Sequence, residues 1–196
     1  MAAIEFVVRC RKTPVEPQQF LAALGLGAHV EFIPAMIVNA LFVANGHRDD
    51  TRLHLVLEKS ADFSRVLTFD GGFLGNLGGL TEAALLKSCS DALSKGRALA
   101  KDESREAGNG IGVSGKSFER LLDELTKDRP GYLLDPKGQP ASHLAPIEAG
   151  VFALTDQLVM PKNTVKGLIR KGLSPISLGK TMLYASQCIT LIHGLR

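Results

Sequence analysis

Cysteine is scarce in this sequence of 196 residues, and tryptophan is missing altogether. The three cysteines, Cys10, Cys89 and Cys188, are widely scattered and include no CxxC pair. That excludes a disulfide framework or a zinc knuckle and fits a reducing compartment. No apolar run approaches the roughly 18 residues of a membrane span. The first residues carry Glu5, Arg9 and Arg11 among apolar neighbours, so a signal-peptide core is lacking too. These absences predict a soluble, cytoplasmic protein without membrane attachment. HExxH does not occur, and the histidines at 29, 47, 54, 143 and 193 are too dispersed for a ligand cluster, so no metal is expected. Without a GxSxG elbow, a hydrolase triad has no support. The glycine-rich stretch Gly71 to Gly79 (GGFLGNLGG) does not match GxGxxG and reads as a loop where backbones pack closely. No dinucleotide site is implied.

What is present describes an ordinary globular chain. Hydrophobic residues make up 45% and charged residues 22%, enough for one sizeable core and too little length for two comfortable domains. A single domain over residues 1–196 is expected. The formal net charge of +3 is compatible with an acidic partner such as RNA. Short β-rich runs at 3–9, 53–57, 66–69, 131–134, 151–154 and 173–178 read as strands. Helices are expected at 17–24, 35–44, 81–99, 117–127, 162–171 and 181–193, with a polar exposed connection over 101–109. Strands alternating with helices predict an α/β fold, with a mostly parallel sheet covered by helices on both faces.

Several motifs carry chemistry. Gly110 to Ser117 (GIGVSGKS) satisfies the P-loop pattern, in which Lys116 neutralises phosphates and Ser117 holds magnesium. A P-loop also needs an apolar strand directly before it, and residues 102–109 are polar. The alternative of a nucleotide-binding protein stands on that pattern, with Val151 to Asp156 (VFALTD) as a Walker B strand. Asp49-Asp50, after His47-Arg48, reads either as a solvated turn or as an acid–base pair. Lys162, Lys166 and Arg170 share one helical face, which suits a solvated surface or a phosphate-binding stripe equally. The last helix has a narrow polar arc of Ser186, Gln187, Thr190 and His193 and a wide apolar remainder, as a homodimer contact would.

The segment Ile176 to Leu195 (ISLGKTMLYASQCITLIHGL) resembles the C-terminal signature of the archaeal tRNA pseudouridine N1-methyltransferases. That signature runs Ile-Ser-Leu-Ser-Pro, then Leu-x-Ala-x-x-Cys-Ile-Thr-x-Ile-His. Ile176, Ser177, Leu178, Leu183, Ala185, Cys188, Ile189, Thr190, Ile192 and His193 match in register, while Gly179-Lys180 replaces Ser-Pro. Weaker likenesses lie at Phe6 to Thr13, at Arg48-Asp49-Asp50 and at Gly110-Ile111 with Val113. Tyr132 to Gly138 and Val151 to Asp156 are similar to two further strand ends, with Thr155 where the family has glycine.

The resemblance implies an S-adenosylmethionine-dependent RNA methyltransferase of the SPOUT type, with a C-terminal trefoil knot. It places the cofactor at Leu133, Leu134, Thr155, Asp156, Ile176, Ser177, Leu178, Gly179, Leu183 and Cys188. It implies transfer of a methyl group to N1 of pseudouridine in tRNA, with Asp50 as candidate proton acceptor and Arg9 and Arg48 as candidate RNA contacts. A relative that binds RNA without catalysis is a further alternative.

Overall fold

In the computed structural model, which describes residues 2–196, eight strands form one sheet in the order β10-β8-β9-β1-β4-β5-β7-β6. The centre is β1 (Ile4–Pro14), with β4 (Thr51–Lys59) on one side and β9 (Gly150–Thr155) on the other, both parallel to it. Beyond β9 lie β8 (Gly131–Pro140) and, at the edge, β10 (Ser174–Ser177), also parallel. Past β4 the sheet turns antiparallel through β5 (Arg65–Asp70), β7 (Ile111–Ser114) and the outer strand β6 (Ser104–Gly108). A two-stranded ribbon, β2 (Phe42–Val43) with β3 (Gly46–His47), stands apart.

Side-chain alternation along the central strands decides which helices cover which face. Ile4, Phe6, Val8 and Cys10 of β1 point to the larger core, as do Leu53, Leu55 and Leu57 of β4. Over them pack α1 (Pro17–Ala22), α2 (Ile33–Leu41), α3 (Glu82–Lys95) and α6 (Ala185–His193), through residues such as Phe20, Ile37, Leu93 and Ile189. Val7, Val56, Val66 and Ala153 point to the smaller core on the opposite face. There they meet Phe118 and Leu122 of α4 (Phe118–Leu125) and Leu168 of α5 (Lys162–Arg170). The expected α/β fold with two covered faces is therefore the one observed. No helix among the described residues is long and apolar enough to cross a membrane.

Three sequence expectations are corrected. The polar stretch 101–109 is not a plain connection, because β6 lies within it. An edge strand buries little, so its composition stays polar and hides it from pattern reading. The last helix starts at Ala185 rather than 181, and the Gln187 side chain caps it by accepting from the Tyr184 N–H at 2.9 Å. The P-loop pattern is an accident of composition. Ile111–Ser114 is strand, not loop, and Asn109-Gly110 is the tight turn of a hairpin, with φ of 53° and 73°. Lys116 is held by Glu124 at 2.5 Å, and Ser117 caps α4 by accepting from the Arg120 N–H at 3.2 Å.

Candidate cofactor and RNA site

In a parallel sheet, ligands collect beyond the carboxyl ends of the strands, where loops diverge. The ends of β8, β9 and β10 share one edge here. Leu133 pairs with Ala153 of β9 on one side and with Pro175 of β10 on the other. Residues 134–138 then leave that ladder, which resumes at Gln139 opposite Ile176 and Pro140 opposite Ser177. β9 ends at Thr155, level with Arg9 of β1. Leu133 and Ile176 are fully buried supports, whereas Leu134, Leu178 and Cys188 are half-buried on the rim of the larger core. The candidate cofactor residues Leu133, Leu134, Thr155, Ile176, Ser177, Leu178, Gly179, Leu183 and Cys188 thus all belong to strand ends and loops of this edge or to the helix that follows.

The loop after β10 explains one departure in the sequence. Gly179 has φ of +117°, a conformation that only glycine enters freely. A serine there, as in the archaeal signature, would have to take another turn. Burial pushes the Cys188 thiol up to about 11, so it serves as packing rather than as a nucleophile.

A polar pair sits beside these loops. The Asp156 N–H donates to the Arg9 carbonyl at 3.2 Å, which ties the β9 loop to β1. Its carboxylate accepts from the Leu158 N–H at 3.1 Å and lies 3.3 Å from Nδ1 of His29. His29 heads a 3-10 turn whose Phe32 stacks on Tyr184, centroids 5.4 Å apart, so the pair bridges the β9 loop and the start of α6. Glu31 in the same turn keeps one buried carboxylate oxygen without a protein donor among the described residues. Nothing in the spacing of His29 and Asp156 foretells their meeting.

The residues expected to do chemistry or to grip RNA are placed elsewhere. Asp50 precedes β4 at the amino end of the parallel strands, where its carbonyl accepts from Ala3 and Ile4. Along β1, the five residue steps from Ile4 to Arg9 separate that edge from Thr155 by about 16 Å. Its carboxylate pairs with Arg196 and accepts from the Thr51 hydroxyl, and the hydrogen bond from the Arg196 guanidinium holds its pKa below the usual carboxylate range. Within the chain, Asp50 ties Arg196 to the start of β4, away from the loops that follow β8, β9 and β10. Arg48 donates to the carbonyls of Phe42 at 3.0 Å and Asn39 at 3.5 Å, closing the end of α2. Arg9 is 13% exposed and binds Glu58 at 2.8 Å, Glu119 at 3.3 Å and Thr164 at 3.1 Å, beneath the Phe118 ring. Arg9 thus sits in a cluster of intramolecular ion pairs, and Arg48 at the carboxyl end of α2. Lys162, Lys166 and Arg170 are exposed along α5 and form no ion pair with a described carboxylate.

A groove of about 660 Å³ opens on the other face of the antiparallel half, lined by Arg52, His54, Asp70, Arg105, Lys116 and Glu124. Its charges largely satisfy one another, with Arg52 on Asp70 at 2.6 Å and Lys116 on Glu124.

His193 closes the far end of α6. Its Nε2–H donates to the Ala40 carbonyl at 3.0 Å, while Nδ1 is buried without a donor. Burial, reinforced by the Arg48 charge, lowers its pKa from 6.5 to about 4. Protonation therefore favours the unfolded chain, so this contribution is complete above pH 6.5 and lost as pH falls toward 4. Urea midpoints should decline over that window in the wild type and stay flatter in His193→Gln.

Comparison with known proteins agrees with the architecture. A family model described as "Putative SAM-dependent RNA methyltransferase" matches residues 3–196. The chain belongs to this family. A protein of Shewanella frigidimarina (strain NCIMB 400) named "Putative pseudouridine methyltransferase" is 44% identical over 189 residues, covering 96% of each chain. One of Vibrio atlanticus (strain LGP32) with the same name is 40% identical, over 96% of this chain and 95% of that one. Among solved structures, Archaeoglobus fulgidus Nep1 bound to S-adenosylhomocysteine superposes with a TM-score of 0.56. At 10% identity, over 98% of this chain and 95% of that one, the likeness is one of fold.

Proposed function

We propose that this protein transfers the methyl group of S-adenosylmethionine to N1 of pseudouridine in RNA, with tRNA as the substrate. The observation that carries the reading is the convergence of three strand ends on one apolar edge, in a chain of the methyltransferase family. The names of its relatives and the S-adenosylhomocysteine bound to the structural neighbour point the same way.

An adenosine and a sulfonium suit this edge. Leu134, Leu178 and Leu183 offer apolar walls, and the loop backbones at 134–138 and 176–183 offer hydrogen bonds to an adenine edge without a buried charge. S-adenosylmethionine supplies an electrophilic methyl group, and the chain's task is to hold nucleophile, carbon and sulfur in line. Residues 1–196 act in this proposal as one SPOUT-type domain, with the C-terminal trefoil knot that the resemblance implies.

The α5 stripe of Lys162, Lys166 and Arg170 is assigned to phosphates, since it is exposed and unpaired by described carboxylates. A cytoplasmic homodimer fits the apolar residues left open around α6: Met182 at 80%, Tyr184 at 50% and Leu191 at 45% exposure.

Calorimetric titration tests the reading directly. S-adenosylmethionine is expected to bind and ATP–magnesium to give no heat. Labelled methyl should then pass to a pseudouridine-containing tRNA and not to the same RNA carrying uridine, which has no N1–H. Binding of ATP–magnesium alone, or equal labelling of both RNAs, would overturn it. In light scattering, the dimer should weigh twice the 21.0 kDa chain.

A further inference from the structure

We propose that His29, oriented by Asp156, accepts the proton that N1 of pseudouridine gives up as it is methylated. This rests on the methyltransferase reading above and names a residue for its chemistry.

The geometry supplies the parts of a general base. The Asp156 side chain is 1% exposed, and one of its oxygens is fixed by the Leu158 N–H. The other lies 3.3 Å from Nδ1 of His29, a length that commonly tightens once substrate is bound. With Nδ1–H donating to the carboxylate, the lone pair resides on Nε2. Nε2 makes no hydrogen bond among the described residues, and the imidazole is 15% exposed, so it is reachable but largely shielded from water. The ring meets Phe32 edge-on at 6.0 Å, and Phe32 stacks on Tyr184. The base therefore stands between the loop after β9 and the segment entering α6, two of the three walls assigned to the cofactor. Titratable groups around the pair include Glu31 of the same turn, Tyr184 stacked on Phe32, and Cys10 of β1, which feels the Asp156 charge. The Cys10 thiol is pushed up by burial and by the charge of Asp156, and it stays protonated.

The step balances. N1 forms a bond to the methyl carbon as the carbon–sulfur bond breaks and its electron pair goes to sulfur. The N1 proton passes to Nε2, giving an imidazolium that the Asp156 carboxylate stabilises, and water later removes it. Uridine has no such proton and no free N1, so the same arrangement discriminates between the two bases.

The test exploits an unusual backbone. His29 has φ of 63°, in the left-handed region where glycine is at ease, so His29→Gly keeps the turn. We expect this variant to bind S-adenosylmethionine and tRNA within about twofold of wild type while kcat falls about 10²- to 10⁴-fold. The wild-type rate should level off as pH rises, whereas that of the variant should keep climbing in proportion to hydroxide. Added imidazole should restore at least about tenfold. Asp156→Asn offers an N–H to Nδ1, turns the lone pair away from substrate and should also lower kcat. A His29→Gly enzyme within about threefold of wild type with the wild-type pH profile would overturn the proposal and leave the methyltransferase reading intact. So would a loss that follows weakened S-adenosylmethionine binding and ignores imidazole. A wild-type protein that methylates no pseudouridine-containing RNA would sink both.

Discussion

Replacing Gly138 by alanine should destabilise the protein by about 3 kcal/mol and weaken S-adenosylmethionine binding at least about tenfold. A Cβ at this position would lie 2.4 Å from the Ile176 nitrogen, 2.5 Å from the Pro175 carbonyl carbon and 2.6 Å from the Ile176 Cα. All three are backbone atoms, so no side-chain rotation can relieve the clash, and β8 and β10 must separate. The residues that would move, Ile176 and its successors, form the loop proposed to hold the cofactor. Stability and affinity should therefore fall together.

Gly167→Ala in α5 provides the opposite control, because nothing lies within 4 Å of its added Cβ. Alanine there should stabilise by about 0.5–1 kcal/mol through helix propensity alone. Urea unfolding and calorimetry on both variants decide the matter. Equal stability of the two would mean that the close approach of β8 and β10 at Gly138 is not present in solution.

Glu5 carries the second large effect. It is 1% exposed on the smaller-core face of β1, where His54 Nε2 lies 2.7 Å away and Arg129 pairs with its other oxygen. Arg129 also donates to the Ala2 carbonyl at 2.7 Å, and the second nitrogen of His54 lies 2.9 Å from the Thr68 hydroxyl. Burial alone would raise the Glu5 pKa. The hydrogen bond and charge of His54, followed by those of Arg129, outweigh it and hold the value at about 2. Folding therefore favours the ionised form. Its contribution is complete above the unfolded value of 4.5 and fades as pH falls through about 2.

Arg129→Met removes a partner and strands a buried carboxylate, which should cost about 3–5 kcal/mol. Glu5→Leu should cost a similar amount by stranding the arginine. The double variant should lose much less than the two costs combined, since no uncompensated charge remains. Simple additivity in urea unfolding would show that the pair is not coupled and that this account of the network is wrong.

The two networks show what a linear pattern can and cannot announce. The strand 3–9 and the helix 117–127 were legible because a short β-branched run and a 3.6-residue apolar period report directly on burial. β6 was not, because an edge strand exposes both of its faces and needs no apolar signature. Glu5, Arg52, His54 and Arg129 stand far apart in the sequence. They become one cluster only because β1 and β4 run parallel in the register Glu5–Arg52 and Val7–His54. The ion pairs of Arg9 with Glu58 and Glu119 likewise join residues 49 and 110 positions apart and have no signature in the sequence.

By itself, then, the sequence determined the α/β class, the alternation of elements and the family to which the chain belongs, since each depends on local periodicity or on a motif within one segment. Tertiary structure alone decided that Asp50 faces the edge opposite the loops of residues 134–138 and 176–183. It alone brought His29 to Asp156 across 127 positions of sequence. The physical reason is common to both. Strand order and register set which side chains meet, and they emerge from packing two faces of a sheet at once rather than from any segment's own preference.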